Sequence, residues 1–400
     1  TLAAVAVLGA FAGSALAADV QLYGVVDTGF QYLSADVDRN GFDSENKFSM
    51  ESGMQSGSRF GIKGTEDLGN GLTVGFILEN QFKSDSGALE NEDSFFHREA
   101  SLFLQGGFGK VAMGRMGSIN GGTSSWAKYG VLSAFGTSWD YSAQAGSWAI
   151  GGGLWDNMIA YETPDFAGFK VFAQYGMGNT VSDTYENPTD VEHEVTWGTE
   201  NESSSDRYYA IGASYANGPL NLYFAVDSIN YSSASLIKTG VDQGKLSYGD
   251  TDDSLTVTFG GNYDFEVVKL FAGAQYFDEV KLSKMKGAVN YSAAANQGLA
   301  SRMKGFGVGL SASIPVAGGN VLVGAAYLDA EAADSVDTPK ENDELTRWIV
   351  SAGYDYPFSK RTDVYGVLTY NQDSLDYTAP ATKDNDPTVF GVMIGLRHKF

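Results

Sequence analysis

Residues 20–33, VQLYGVVDTGFQYL, alternate between two kinds of side chain. Val20, Leu22, Val26, Phe30 and Tyr32 fall on one face; Gln21, Tyr23, Asp27 and Gln31 fall on the other. A period of two belongs to a strand with one apolar and one wet face, and about ten such residues suffice to cross a bilayer at a tilt. The stretch 389–400, VFGVMIGLRHKF, reads the same way. Phe390, Val392, Ile394, Leu396 and Phe400 alternate with Val389, Gly391, Met393, Gly395, Arg397 and Lys399. The apolar set is expected to face lipid, and the small and basic set, Arg397 included, to line a lumen.

Working inward from these ends, alternating segments are joined by two sorts of connection. The short ones are GTEDLGN (64–70), GGFG (106–109), TPDFAG (163–168), ANGP (216–219), YDFE (263–266), IPVAGG (314–319) and YPFSKRT (356–362). Gly, Pro, Asn and Asp dominate them, as tight turns require. The long ones lie near 34–50, 84–94, 117–155, 178–206, 232–252, 281–303, 331–344 and 372–387. Seven short and eight long connections in strict alternation predict sixteen strands. An even strand number with turns on one side and loops on the other is the pattern of a bacterial outer-membrane barrel. The sheet must close, because in lipid an open strand edge leaves backbone N–H and C=O groups unpaired. The expected fold is all-β: one 16-stranded antiparallel transmembrane β-barrel over residues 18–400, with both termini on the short-turn, periplasmic side.

Composition agrees and narrows the class. The chain of 400 residues has 50 glycines, 24 Phe, 22 Tyr and 6 Trp. Its first 17 residues, TLAAVAVLGAFAGSALA, read as the core and cleavage region of a secretory signal peptide, with Ala15-Leu16-Ala17 as the small-x-small site. The mature chain is expected to start at Ala18. There is no Cys, which excludes disulfides, thiolate metal sites and Cys nucleophiles. A net charge of −23 argues against nucleic acid, which needs a basic surface. No cofactor and no metal site is expected. Asp250, Asp252 and Asp253 lack the central Gly and terminal Glu of a calcium loop.

The sequence also resembles the Gram-negative general diffusion porins, especially the beta-proteobacterial and neisserial group. The resemblance rests on VQLYGVVDTGF, SRFGIKGTEDLGNGLTVGFILE (58–79), HREASLFLQGGFGKVAMGRMGS (97–118), YETPDFAGF (161–169) and Phe400. It is dense over the first 180 residues, and beyond them rests on alternation and loop order. It implies an outer-membrane homotrimer that passes small hydrophilic solutes and ions through a water-filled lumen. Lipopolysaccharide and outer-membrane lipid would surround it. The resemblance also implies a third external loop folded into the lumen, and a C-terminal aromatic, here Phe400, read by the barrel-assembly machinery.

A channel of this kind has no catalytic constellation; its chemistry is the size and charge of its narrowest section. Arg59 and Lys63 alternate with Phe60 and Ile62, so both cations face the lumen if the apolar pair faces lipid. The family places a wall arginine at the position of Arg59 and another at Arg98. Strict alternation puts Arg98 with Ala100, Leu102 and Leu104, so only the resemblance favours the lumen for it. Glu79 and Lys83 share a face with Thr73 and Gln81 and are expected to line the pore, Lys83 near its external mouth. The third loop, 117–155, holds Trp126, Trp139, Trp148 and Trp155 but only two internal charges, Lys128 and Asp140. Such a loop is not built for water, and folding inward accounts for it. Asp140 fits either the acidic side of the constriction, facing Arg59 and Arg98, or a cap within the loop. The family loop usually carries more acids, and an arginine commonly opens the next strand; here that strand reads GGGLWDNMIAY, with Trp155 near the basic position. Arg115 matches a family arginine where a neighbour's second loop latches, and Glu90 and Glu92 are the acids that would reach it.

Two rivals are weaker. A barrel hydrolase needs a nucleophile with a base in reach, and only His97, His193 and His398 are on offer. A sugar- or carboxylate-selective channel could use the third-loop aromatics as a stacking slide, although aromatics in a loop more often pack. The acids of 178–206, eight with no Lys or Arg, fit either a solvated face, the usual reading of a charge run, or carboxylates that share divalent cations beside lipopolysaccharide. They pull ion preference one way, and the wall cations pull it the other.

Overall fold

Asn70 and Gly71 carry φ of 54° and 75° between two paired strands. Both positions of this two-residue turn need left-handed backbone, which Asn-Gly supplies at low cost. The strand before it therefore runs through Gly69, and most of GTEDLGN is strand, not turn. The structure, a computed structural model, describes residues 19–36, 44–136, 153–178, 200, 205–231, 238–242, 245–248, 252–281, 300, 302–336, 340–378 and 386–400. Residues 1–18, Asp140 and most of the acidic stretch 178–206 lie outside them.

The described residues form sixteen barrel strands. The first four are β1 (Asp19–Asp36), β2 in two pieces (Glu45–Ser52 and Arg59–Gly69), β3 (Leu72–Gln81) and β4 (Glu99–Gly106). Then come β5 (Gly109–Gly117), β6 (Leu154–Glu162), β7 (Phe169–Gly176) and β8 (Arg207–Asn217). β9 (Leu220–Asn230), β10 (Ser254–Asp264), β11 (Lys269–Lys281) and β12 (Arg302–Val316) follow. The last are β13 (Gly319–Ala332), β14 (Glu344–Pro357), β15 (Thr362–Asp376) and β16 (Thr388–Lys399). Each pairs antiparallel with its neighbour in sequence, and β16 returns to β1 from Val25↔Lys399 to Asp36↔Thr388. Phe400 continues the seam, exchanging two backbone hydrogen bonds of 3.1 Å with Gly24. The sheet thus has no open edge among its barrel strands.

The connections between the described strands fall in the expected order, short alternating with long, although GTEDLGN and IPVAGG are mostly strand. One addition was not foreseen: the connection after β9 contains a small hairpin, Lys238–Asp242 paired with Lys245–Tyr248. The faces also follow the pattern. Leu22 and Ile394 are 53 % and 57 % exposed on the outside, whereas Gln31 on the lumen face is 3 % exposed. An apolar exterior is what lipid solvates best.

Parts of the lumen are filled. The described part of the third loop, Ser118–Gly136, packs on lumen-facing side chains. Ile119, Trp126, Tyr129 and Leu132 join Met116, Trp155, Met158, Phe172, Tyr208 and Tyr223 in one buried cluster. Large apolar side chains of this kind each stabilise by roughly 1.5–3 kcal/mol when removed from water. Polar ties fix the path: Gln174 accepts from the Ile119 amide at 2.8 Å and donates to the Gly117 carbonyl at 3.1 Å. Farther on, Asn262 donates to the Val131 carbonyl at 2.8 Å, and the Ala134 amide donates to Ser311 at 2.9 Å. Phe135 ends among Leu322, Ile349, Tyr365, Val367 and Met393, on the far wall.

Candidate functional site

Arg59 opens the second piece of β2, and alternation carries Arg59, Gly61 and Lys63 to the lumen side. Directly across the ladder stand Gln81, Glu79 and Ile77 of β3. Glu79 is the hub of this wall. Its Oε1 accepts from Arg98 Nε at 2.6 Å, its Oε2 from Tyr23 Oη at 3.0 Å, and Arg59 Nε lies 3.6 Å from Oε2. Arg98 also donates to Gln81 Oε1. Two cations on one carboxylate leave the trio net positive. A charge-assisted pair of this geometry is stronger than a neutral bond.

Arg98 reaches the lumen for a reason the alternation does not contain. β4 begins only at Glu99, and the chain bends at Arg98, so strand parity does not apply there. Its guanidinium turns in to Glu79 and Gln81. Glu99 is the next lumen residue; it accepts the Ser125 amide at 2.8 Å and the Ser125 and Ser101 hydroxyls at 2.9 and 2.8 Å. The wall is thereby tied to the third loop.

Between them lies a pocket of about 350 Å³, bordered by Arg59, Lys63, Glu79, Arg98 and Glu99 on the wall and by Gly122–Ser125 of the loop. Its remaining edge is Ser56 and Gly57, which lie between the two pieces of β2. A second pocket of about 270 Å³ shares Lys63 and Ile77 with the first and leads to Phe103 and Lys110. There Lys110 stands over the Phe103 and Trp126 rings at 4.3 and 5.1 Å. Beside it Lys170 and Lys128 approach Glu162 at 2.8 and 3.7 Å. Burial lowers the Lys128 ammonium below its ordinary value, while Glu162 acts to hold it up. A larger apolar concavity of about 920 Å³, lined by Leu222, Phe224 and Phe259, is on the outside and belongs to lipid contact.

The other expected residues fall as follows. Lys83 lies beyond the end of β3 in a tight turn, with its amide on the Ala88 carbonyl at 2.8 Å, so it is an exposed mouth residue. Arg397 is on the lumen face of β16, 2.9 Å from Asp363. Trp155 turns inward because β6 bulges: Met116 faces Trp155 but Gly114 faces Met158, with Asn157 at φ 52°. Trp155 stacks on Tyr208 at 5.3 Å. Arg115 is opposite Ala100 on the outward face. It pairs with Asp156 and donates to the His97 carbonyl at 2.6 Å. Burial pushes the His97 imidazole below its ordinary value, and Arg98 and Arg115 push the same way. Glu90 and Glu92 are exposed in the second loop. Trp126 is 2 % exposed, sealed into the wall and not presented as a stacking surface. Asp140, Trp139 and Trp148 lie outside the described residues.

Sequence reasoning did not single out Asp27, Glu99, Lys110, Asp156 or the Ser56–Gly57 edge. Lumen parity was the available signal for Asp27, Glu99 and Lys110. None existed for Asp156, which the β6 bulge re-aims.

A closed barrel with a lipid-facing apolar exterior and a charged pocket on its inner wall is a transmembrane β-barrel of the channel class. The chain belongs to the Gram-negative porin family, whose profile matches residues 3–376. An outer membrane porin protein of Bordetella pertussis is 32 % identical over 423 residues, covering 100 % of this chain and 99 % of its own length. Outer membrane porin protein 32 of Delftia acidovorans is 30 % identical over 419 residues, covering 100 % and 99 %. Among solved structures, the anion-selective porin from Comamonas acidovorans superposes with a TM-score of 0.62 at 25 % identity, covering 96 % of this chain and 100 % of that one. The protein is an outer-membrane porin, a water-filled channel for passive diffusion of small hydrophilic solutes.

Proposed function

We propose that the pocket bordered by Arg59, Lys63, Arg98 and the third loop is the constriction of this channel, and that it favours anions. The observation that carries the reading is the charge of its lining: three cations, Arg59, Lys63 and Arg98, against two carboxylates, Glu79 and Glu99. Both carboxylates are engaged, Glu79 by the arginines and Glu99 by Ser125 and Ser101. Lys110 prolongs the positive wall toward the short-turn side. A low-dielectric wall of one sign concentrates the opposite ion in the opening. The Comamonas acidovorans neighbour is described as anion-selective, which agrees. Asp140, outside the described residues, remains a candidate either for the acid facing this wall or for a cap within the loop. Glu79 joins the constriction, and Arg397 lines the wall beside it.

The test is the reversal potential of the refolded protein in a planar lipid bilayer under a salt gradient. The wild-type sign should report anions, and Arg59→Gln with Arg98→Gln should move it toward cations. An unchanged potential in the double variant removes these residues from the constriction.

The native assembly in this reading is a homotrimer. Arg115, already paired with Asp156 on the outward face, is where a neighbour's Glu90 or Glu92 would join. Arg115→Glu should lower the temperature at which oligomers dissociate on gels; unaltered heat-resistant oligomers would sink the latch.

A further inference from the structure

The two pieces of β2 do not fit their partner evenly. Ser52 faces Thr28 and Arg59 faces Val25, so six residues, 53–58, lie opposite two, Val26 and Asp27. The excess is four residues. A β-bulge that serves twist needs about one extra residue. Here the surplus has a structure of its own.

It leaves the ladder at Gly53, whose amide still donates to the Asp27 carbonyl at 2.9 Å and whose φ is 72°. The chain then doubles back so tightly that a Cβ on Gly53 would sit 2.8 Å from Gly57 Cα. The segment turns into the barrel, not out to lipid. Met54, Gln55 and Ser58 are buried, and Met54 shares a cluster with Phe135 of the third loop and with Ile349, Tyr365 and Met393 of the adjoining strands β14–β16.

One carboxylate holds it there. Asp27 Oδ2 accepts the amides of Gln55 and Ser56 at 3.0 and 2.7 Å, and Oδ1 accepts Tyr365 Oη at 2.6 Å. Gln55 Nε2 adds a bond to Asp355 at 3.3 Å. The free edge of the segment, Ser56 and Gly57, borders the 350 Å³ pocket opposite Gly122–Ser125. That same edge holds Arg59, whose Nη1 donates to Ser56 Oγ and to the Gly57 carbonyl, each at 3.0 Å.

We infer that residues 53–58 are a second constricting element: an inward flap that narrows the channel jointly with the third loop. Asp27 is its positioning residue, and Ser56 and Gly57 are the edge that sets the exclusion size and aims Arg59. The inference rests on reading the 350 Å³ pocket as the constriction.

Deleting residues 54–57 removes the excess of four and leaves a continuous β2 with its facing pattern intact. Neutral polyethylene glycols of graded size would probe the opening in single-channel recordings. Larger polymers should enter the variant than the wild type. Its conductance should rise, roughly doubling, since flow through a water-filled narrowing follows its cross-section. An unchanged polymer cutoff in a folded, heat-modifiable barrel overturns the flap. If the deletion does not fold, Ser56→Cys decides, in a chain that has no other cysteine. A negatively charged methanethiosulfonate reagent should then drop the current stepwise, and indifference to the reagent overturns the inference. The neutral probe separates the two readings. A shift of reversal potential in the arginine variant with no change in cutoff here would keep the constriction and discard the flap. Failure of both would discard the constriction as well.

Discussion

Two halves of the lumen are made from the same kind of strand and have opposite interiors. Along β5–β9 the inward side chains Met116, Met158, Phe172 and Tyr208 are sealed beneath Ile119, Trp126, Tyr129 and Leu132. Along β1–β4 the inward side chains Tyr23, Arg59, Lys63 and Glu79 border an open pocket. Alternation assigns both sets to the inside and does not say whether the inside is filled. The third loop decides. It is apolar where it crosses β5–β9, and it reads Gly121-Gly122-Thr123-Ser124-Ser125 where it borders the opening. Small hydroxylated residues cannot pack a core, so water keeps that side. The dry half is a fixed stop, and the wet half is the gap left beside it.

The sharpest way to break this contrast is in the dry half. Trp126→Ala removes the largest loop side chain from the sealed cluster and leaves a cavity. It should cost about 3–5 kcal/mol, the range for a buried aromatic truncated to Ala, read as a shift in the urea midpoint of the refolded barrel. A midpoint that stays put would mean that the cluster is not a core. In the wet half a change at the wall should be read in permeation. Glu79→Gln takes away the carboxylate shared by Arg59 and Arg98. A unit charge about 4 Å from a passing ion is worth about 1 kcal/mol in water-like surroundings, in opposite senses for anion and cation, so the anion-to-cation permeability ratio should rise by up to about thirtyfold. No rise would mean that solutes do not pass this wall.

Much of the fold was legible because a lipid-facing strand is written with a period of two. The signal in VQLYGVVDTGFQYL, repeated between short turns and long loops, is redundant across the chain. It survives errors at single boundaries such as GTEDLGN. Arg59 and Lys63 were legible for the same reason, since Phe60 and Ile62 fix the face. The remainder depended on breaks in the period. Arg98 sits on a bend before its strand, Trp155 and Asp156 straddle a bulge, and both are local backbone choices with no compositional marker. The flap is the plainest case. Gly53-Met-Gln-Ser-Gly-Ser58 has the small polar character of a surface loop. Only the register on either side reveals that it lies inside a strand and turns inward.

The four-residue excess in β2 has a consequence for how this channel can vary. Each face is set by the partner a residue pairs with, and the extra residues leave the ladder between Ser52↔Thr28 and Arg59↔Val25, so their number does not decide where Arg59 and Lys63 point. β6 behaves the same way: one extra residue separates Met116↔Trp155 from Gly114↔Met158, and Trp155 and Met158 both stay inward. The flap can therefore lengthen or shorten without re-aiming the wall, and a lineage or an engineer can change the opening without rewriting a single wall residue.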